Sequence, residues 1–319
     1  MFNKNQTAIV FPGQGSQIVG MGKDLYDNFA SAKKIFTTVD DILGLKLSQI
    51  IFEGPSEELT KTENTQASLM AVSMALVEVL EKDFGKKISD LCSFVAGHSL
   101  GEYSALCAAG AISLEETAKL LQVRGNEMAN CGKKTVGSMA AILGVEIDVA
   151  EAIASEAKWG NGQEEVCQVA NDNSVGQIVI SGSKTAILRA IEIAKSKGAK
   201  RAIELPVSGA FHSALMADAE LVMRRALVKA CITSPTIAVV ANVTAAEVSN
   251  PDEIKELLAK QITGSVRWRE TMLYLENKGV KEIIEIGSGK VLSGLVGRTC
   301  KDMNARSIQN SKDIEEFVR

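Results

Sequence analysis

The segment "VAGHSLGEYSALCAAG", residues 95–110, constrains the fold most strongly, because an apolar run stops at a serine and an alanine-rich helical pattern follows at once. Gly97 to Gly101 fit the pattern G-x-S-x-G. In an α/β protein this pattern marks a sharp strand-to-helix turn that exposes a serine hydroxyl beside a helix N-terminus. Ser99 is therefore the candidate nucleophile, with a merely structural turn as the alternative.

Short runs rich in Val and Ile alternate with longer helical patterns in the first and last parts of the chain. Four such runs are "TAIVF", "LCSFVA", "TIAVVAN" and "KEIIEIG". The alternation predicts an α/β fold with a mostly parallel sheet, in which ligands bind beyond the C-terminal ends of the strands. Capping residues Ser113, with Glu116, and Asn250, before Pro251, predict two helix starts.

The middle of the chain has a different order of elements. From about residue 135 to 205 the patterns predict β-α-β-β-α-β, which is the ferredoxin-like arrangement. We therefore expect a small inserted ferredoxin-like domain at 135–205. Residues 1–134 and 206–319 would then form one large, hydrolase-like α/β catalytic domain.

Composition excludes several classes of function. The formal net charge of −4 gives no general attraction to nucleic acid or to anionic membranes. The longest apolar-rich stretch, residues 67–80, is too short to span a bilayer. The six cysteines include no C-x-x-C pair, which is typical of free buried thiols and predicts neither disulfides nor a metal site. We therefore expect a cytoplasmic protein.

A serine nucleophile needs a base, and the chain contains two histidines, His98 and His212. His98 is adjacent to Ser99, and neighbouring residues on a tight turn generally point apart. His212 lies in the loop-like segment "PVSGAFHSALM", after the nucleophile in the order used by hydrolase-like folds, and is the better candidate base. A third, acidic member of a triad is not evident, because Asp172 falls in the predicted inserted domain.

The segment "IVFPGQGSQ" places a backbone-exposing loop after the first predicted strand. It lacks the glycine and Ser/Thr positions that complete the dinucleotide-binding or Walker A motifs, so a phosphate site is not indicated. The N–H groups of Gln14 and of Leu100, which follows the nucleophile, could instead form an oxyanion hole.

Arg124 lies on the flank of the apolar stripe of a predicted helix, where an unpaired guanidinium would be costly. It needs an anion. A structural carboxylate or a snorkelling side chain is one interpretation, and a clamp on a substrate carboxylate is the other.

Together these segments resemble the malonyl-CoA:acyl carrier protein transacylases of bacterial fatty acid synthesis and the acyltransferase domains of polyketide synthases. The matching blocks run in the family's order from Phe11 to about Val291, and include "FPGQGSQ", "GHSLGEYSALCAAGAIS", "QVRGNEM", "VANDNSVGQIVISG", "GAFHSALM", "QITGSVRW" and "EIGSGKVL". Asn64 and Ala67 stand where the family more often has an aromatic residue and a proline.

The resemblance implies a role for each matching residue. Ser99 would carry the acyl group, His212 would be its base, and the N–H groups of Gln14 and Leu100 would bind the oxyanion. The backbone carbonyl of Gln261 would orient the histidine, which would explain the missing aspartate. For the substrate, Arg124 would hold the malonyl carboxylate, Phe211 would disfavour a methyl-branched acyl group, and Gln66 and Asn171 would lie near the pocket.

The expected activity is a ping-pong transfer of malonyl from malonyl-CoA, through Ser99, to the phosphopantetheine thiol of acyl carrier protein. The expected partners are malonyl-CoA and acyl carrier protein, with no cofactor, no nucleic acid and no membrane, and with a monomeric enzyme. A serine hydrolase would use the same nucleophile and base, and a non-catalytic carrier-binding protein could keep the same fold. Both alternatives stay open at this point.

Overall fold

The computed structural model describes residues 3–160 and 162–319. Its strands are β1 (Thr7–Phe11), β2 (Phe94–Gly97), β3 (Gly137–Leu143), β4 (Trp159–Gly160), β5 (Gln163–Glu164), β6 (Cys167–Ser174), β7 (Gln177–Ser183), β8 (Arg201–Glu204), β9 (Ala238–Ala241), β10 (Ala246–Val248), β11 (Glu282–Ile286) and β12 (Asn304–Ile308). Its helices are α1 (Lys23–Asn28), α2 (Ala30–Leu43), α3 (Leu47–Glu53), α4 (Ser56–Thr60), α5 (Thr62–Lys82), α6 (Ile88–Leu91), α7 (Gly101–Ala108), α8 (Leu114–Lys134), α9 (Ile147–Ala157), α10 (Lys184–Ser196), α11 (Ala217–Lys229), α12 (Pro251–Lys260), α13 (Trp268–Asn277), α14 (Val291–Thr299) and α15 (Ser311–Val318). Short 3-10 helices cover Lys4–Gln6 and Ala214–Met216.

The central sheet has the strand order β10-β9-β2-β1-β11-β12 and is parallel except for β10, which is antiparallel to β9. In β1, Ile9 and Phe11 join one buried cluster, whereas Ala8 and Val10 join another on the opposite face. Burial on both faces explains why this strand is an uninterrupted apolar run. The predicted α/β fold with a mostly parallel sheet is confirmed.

A separate antiparallel sheet has the order β6-β7-β3-β8, and helices α9 and α10 share a buried cluster with it. In β6 the register shifts between Val169 and Asn171, where the strand meets the rest of the protein. There Asn171 bridges Val266, and the Val266 N–H donates to the Ala170 carbonyl at 2.8 Å. The small sheet is thereby held against the segment that follows α12.

Two strands of the central sheet gave no clear signal in the sequence. Strand β12, "NARSI", is an edge strand whose first three residues are exposed, so it has no apolar run. Strand β10 has three residues and also lies at an edge. Edge strands need less apolar surface than central ones, which is why periodicity did not indicate them. Both predicted caps are present, because Ser113 accepts from the Glu116 N–H and Asn250 accepts from two N–H groups of α12.

No helix within residues 3–160 and 162–319 combines the length and apolar character needed to cross a membrane.

The turn between β2 and α7 requires two glycines because backbone segments approach closely there. A Cβ added at Gly97 would lie 1.9 Å from the Gly101 carbonyl carbon and oxygen. A Cβ added at Gly101 would lie 2.3 Å from the Phe11 carbonyl oxygen. The pattern G-x-S-x-G is thus a steric requirement of this turn.

We predict that Gly97→Ala lowers the free energy of unfolding by about 3 kcal/mol, because its Cβ must displace backbone atoms. Gly294→Ala is the matched control: Gly294 is an exposed position of α14, and an added Cβ there meets nothing within 4 Å. The free energy of unfolding of the control should rise by about 0.5–1 kcal/mol, since alanine replaces a helical glycine. Urea unfolding measures both. Equal stabilities of the two variants would contradict this account of the turn.

Candidate active site

Ser99 lies at the turn between β2 and α7 with a φ angle of 54°, in the left-handed region that residues with a Cβ rarely adopt. Asn242, at the end of β9, holds both sides of the turn. Its Oδ1 accepts from the Ser99 N–H at 2.8 Å, and its Nδ2 donates to the Gly97 carbonyl at 2.7 Å. These bonds offset the local strain, which costs about 1–2 kcal/mol.

The Ser99 hydroxyl lies against the His212 ring. Ser99 Oγ is 2.8 Å from His212 Nε2, and His212 Nδ1 is 2.8 Å from the backbone carbonyl oxygen of Gln261. A carbonyl oxygen only accepts, so Nδ1 carries the proton and Nε2 is free to accept from the serine hydroxyl. The arrangement is that of a nucleophile and a general base.

His212 is itself strained, with a φ angle of 55°, and a glutamine of the small sheet contacts its backbone. Gln168 Nε2 donates to the His212 carbonyl at 3.4 Å and to the Thr263 carbonyl at 3.2 Å. Gln168 Oε1 accepts from the Ala214 N–H at 3.1 Å. One side chain of β6 therefore joins the histidine loop to the segment that follows α12.

His212 is buried, and its environment favours the neutral ring. Burial and the positive charge of Arg124 lower the pKa of His212 to about 3, against the opposing effect of the Gln261 carbonyl. A neutral imidazole can accept the proton of Ser99. Any anion that neutralises Arg124 would raise this pKa and make the ring a stronger base.

Gln14 and Leu100 lie on the two loops next to the nucleophile, after β1 and at the start of α7. The N–H groups of both residues donate to no other atom of residues 3–160 and 162–319. The loop of Gln14 is close to the turn, since a Cβ added at Gly13 would lie 2.6 Å from the His98 carbonyl oxygen. Two free backbone donors beside a nucleophile are suited to a developing oxyanion.

Arg124 is 1% exposed and extends from α8 into the same site. Its Nη1 donates to Gln66 Oε1 at 2.7 Å, and its Nη2 donates to Gln261 Oε1 at 2.8 Å and to Ser99 Oγ at 3.1 Å. Its Nε is buried and has no partner among the described residues, and no carboxylate of those residues pairs with the guanidinium. A buried cation with an unused donor next to a nucleophile is suited to bind an anionic substrate group.

The other three residues that the sequence indicates for the substrate pocket differ in their contacts with Ser99, His212 and Arg124. Gln66, on α5, contacts Arg124 directly. Phe211 precedes the base and packs, 6% exposed, into the main hydrophobic cluster. Asn171 is buried at the Val266 bridge, and its side chain forms no hydrogen bond with Ser99, His212 or Arg124. The contacts therefore join Gln66 to the site but do not join Asn171.

Two residues weighed for the base and the triad have other contacts. His98 Nε2 lies 2.8 Å from Asn173 Oδ1, and its ring makes an edge contact with Trp268 at 5.5 Å. The Asp172 carboxylate accepts from Arg269 Nε at 2.8 Å. Neither side chain contacts Ser99 or His212, so the orienting group of the base is the Gln261 carbonyl.

The sequence patterns did not identify three residues of the site: Glu102, Gln168 and Asn242. A signal in the sequence could have identified Glu102, because it is a lone acid in the mostly apolar segment that follows Ser99. Its Oε2 accepts from Gln261 Nε2 at 2.7 Å and from the Asn242 N–H at 3.1 Å. Asn242 and Gln168 are single polar residues in strand patterns, which do not show which group they contact.

A cavity of about 490 Å³ opens on the Gln14 side of the site. Its walls come from the loop after β1, helix α4, the start of α5, the last turns of α8, and the segment that follows β8, including Gln14, Thr62, Lys133 and Ser208. Of the site residues described above, Gln14 is the one that lines it, and Gln14 Nε2 donates to Thr62 Oγ1 at 3.4 Å.

A protein-family model described as "Acyl transferase domain" matches residues 8–316. The chain belongs to the acyl transferase domain family. The matched range contains Ser99, His212, Gln261 and Arg124.

Relatives in this family have similar lengths. The chain is 42% identical over 315 residues to the malonyl CoA-acyl carrier protein transacylase of Bacillus subtilis (strain 168), covering 99% of this chain and 97% of that protein. The crystal structure of acyl-carrier-protein-S-malonyltransferase from Bartonella henselae matches with a TM-score of 0.93 and 49% identity over 98% of each chain. A structure of a type II PKS acyl-carrier protein in complex with its malonyl-transacylase matches with a TM-score of 0.93 and 36% identity, over 98% of this chain and 99% of that chain.

The low pKa of His212 can be measured directly, because the protein contains two histidines. We predict that the NMR signals of His212 stay those of a neutral ring down to about pH 5, well below the ordinary histidine pKa. Arg124→Gln should raise the pH at the midpoint of the His212 titration, since the charge of Arg124 contributes to the low pKa of His212.

His98 is the internal control for this titration. Burial lowers its pKa, and Asn173, not Arg124, is the other contributor. Because His98 itself contributes to the low pKa of His212, the His98 midpoint should change in the Arg124→Gln variant, but less than that of His212. An unaltered protein in which His212 titrates at its ordinary value of 6.5 would contradict the account.

Proposed function

We propose that this protein is a malonyl-CoA:acyl carrier protein transacylase of fatty acid synthesis, which transfers malonyl through a serine ester. The observation that carries the proposal is a nucleophile and base in contact, Ser99 Oγ 2.8 Å from His212 Nε2, with the buried Arg124 guanidinium 3.1 Å from the same hydroxyl. Malonyl-CoA joins a thioester to a free carboxylate, and the site has a group for each.

In the first half-reaction the Ser99 hydroxyl gives its proton to His212 Nε2, and its oxygen attacks the thioester carbonyl carbon. The oxyanion that forms is bound by the N–H groups of Gln14 and Leu100. The carbon–sulfur bond then breaks, and His212 returns the proton to the departing CoA sulfur. The product is a malonyl ester on Ser99.

The second half-reaction repeats these steps in reverse with a different thiol. The phosphopantetheine thiol of acyl carrier protein gives its proton to His212 and attacks the ester, and Ser99 leaves with that proton. The carrier as partner is supported by the names of the relatives and by the related malonyl-transacylase that was solved with an acyl-carrier protein. The two thiols use the site in turn, which makes the kinetics ping-pong.

Arg124 selects the acyl group by binding its free carboxylate. The support is its unpartnered Nε and the absence of any acidic partner among the described residues. Gln66 and the Gln261 side chain hold the guanidinium in place through Nη1 and Nη2. Phe211 limits the space for a methyl branch, and Asn171 on β6 lies near the pocket without a hydrogen bond to Ser99, His212 or Arg124.

The proposal also covers the domains of the protein, its oligomeric state, its location and its need for a cofactor. Residues 135–205 form a ferredoxin-like domain inserted into a hydrolase-like domain, 1–134 and 206–319. The support is the small sheet: read across it, the strands β6, β7, β3 and β8 are the second, third, first and fourth of this sheet along the chain. The enzyme acts in the cytoplasm as a monomer without a cofactor. One chain supplies the nucleophile, base, oxyanion donors and cation, which supports a monomer, and acyl transfer involves no net oxidation, so it needs no redox cofactor.

We predict that Ser99→Ala abolishes malonyl transfer from malonyl-CoA to holo acyl carrier protein, because no oxygen remains to carry the acyl group. Ser104→Ala is the matched control, since Ser104 is buried in the helix that follows Ser99 and its hydroxyl has no partner among the described residues. Gel separation of malonylated carrier measures transfer. A Ser99→Ala variant with normal transfer would overturn the mechanism.

We predict that Arg124→Ala lowers kcat/KM for malonyl-CoA about a hundredfold or more, the effect of removing one partner of a buried ion pair. Acylation by acetyl-CoA, which has no carboxylate, should be unchanged or faster. Thermal unfolding of the variant checks that the site remains folded. Equal losses with the two thioesters would argue that Arg124 is structural.

A further inference from the structure

Glu102 is a buried acid that the reaction scheme above does not use. It lies on α7, three residues after Ser99, and its side chain is 2% exposed. A buried carboxylate is costly unless hydrogen bonds satisfy it. Here one oxygen, Oε2, accepts from both Gln261 Nε2 at 2.7 Å and the Asn242 N–H at 3.1 Å.

Gln261 is the residue through which Glu102 reaches the site. Its backbone carbonyl accepts from His212 Nδ1 at 2.8 Å, and its side-chain Oε1 accepts from Arg124 Nη2 at 2.8 Å. The same residue therefore contacts the base with its main chain and the guanidinium with its side chain. Its Nε2 also donates to the Ser99 carbonyl at 3.0 Å.

The direction of the Gln261 amide depends on what faces it. Glu102 Oε2 and the Ser99 carbonyl are acceptors, so the NH₂ group points toward them. The guanidinium of Arg124 only donates, so the amide oxygen points toward it. If Glu102 were removed, the NH₂ group would lose its shortest contact and keep the Ser99 carbonyl at 3.0 Å and Asn242 Oδ1 at 3.4 Å, and the amide could rotate away from Arg124.

Glu102 and Arg124 interact through their charges without forming an ion pair. Burial raises the pKa of Glu102 to about 7, while the contacts with Gln261 and Asn242 and the charge of Arg124 oppose the shift. No acid of the described residues forms an ion pair with Arg124, so its guanidinium depends on neutral acceptors for its position.

We propose that Glu102 is a positioning residue for acyl selectivity: its carboxylate oxygen holds the Gln261 amide, and that amide holds Arg124 where a substrate carboxylate must bind. The inference rests on the proposed malonyl transfer and extends it to a residue outside direct contact with substrate. It predicts that loss of the acceptor at Glu102 harms malonyl transfer more than acetyl transfer.

Three proteins are compared in the carrier-free acylation reaction: the unaltered chain, Glu102→Ala and Glu102→Gln. CoA release is followed by rapid quench over a range of malonyl-CoA and acetyl-CoA concentrations. The alanine variant lacks the acceptor, whereas the glutamine variant keeps an oxygen that can accept from Gln261 and Asn242. If the alanine variant is unfolded at the assay temperature, Glu102→Asp replaces it, because its shorter side chain withdraws the same oxygen.

We expect Glu102→Ala to lower the malonyl-to-acetyl ratio of acylation efficiencies about tenfold, the factor that corresponds to one lost hydrogen bond. The change should appear mainly in the malonyl-CoA concentration needed for half-maximal rate. Glu102→Gln should restore the ratio to within about threefold of the unaltered protein.

Parallel losses with both thioesters in Glu102→Ala would show a structural role and overturn the inference, as would a Glu102→Gln variant as impaired as the alanine variant. If the unaltered chain itself released no CoA from malonyl-CoA, the proposed function would fail first, and the inference with it. The two failures are therefore distinguishable in one experiment.

Discussion

Two residues with left-handed backbone conformations face each other in this protein, and the rest of the site is arranged to hold them. Ser99 and His212 have φ angles of 54° and 55°. Each conformation is unfavourable by itself, and each is held by a side chain from a different part of the chain, Asn242 for the serine and Gln168 for the histidine. The parallel sheet and the small antiparallel sheet thus both contribute to one contact of 2.8 Å.

The base is oriented by a neutral carbonyl, and this choice suits an anionic acyl group. A carboxylate at the position of the Gln261 carbonyl would place a negative charge beside a site that must bind malonyl. With the carbonyl, the Arg124 guanidinium donates to Ser99 Oγ and forms no ion pair with an acid of the described residues, and the substrate carboxylate would neutralise it. That neutralisation removes one cause of the low pKa of His212, so binding of the correct acyl group would strengthen the base. A serine hydrolase with an acidic triad member would lack this coupling.

Short sequence motifs predicted the features of the fold and site that a few neighbouring residues reveal, and did not predict contacts between distant segments. The turn around Ser99 was predictable because the glycines that it requires are spaced as G-x-S-x-G: Gly97 approaches the Gly101 backbone, and Gly101 approaches that of Phe11. His212 was predictable because the chain offers one other histidine. The family resemblance supplied the carbonyl of Gln261, which no side-chain pattern can reveal. Glu102, Asn242 and Gln168 were missed because their partners lie up to 159 residues away and depend on how the two sheets meet. The exposed edge strand β12 was missed because it lacks an apolar run.

The central claim, a malonyl ester on Ser99, is tested most directly by mass spectrometry of the protein mixed with malonyl-CoA in the absence of any carrier. The account predicts one malonyl adduct per chain, located on the peptide that contains Ser99, with little or no adduct from acetyl-CoA. Continuous release of CoA without an adduct would indicate hydrolysis and contradict the account. An adduct on any other residue would contradict it equally.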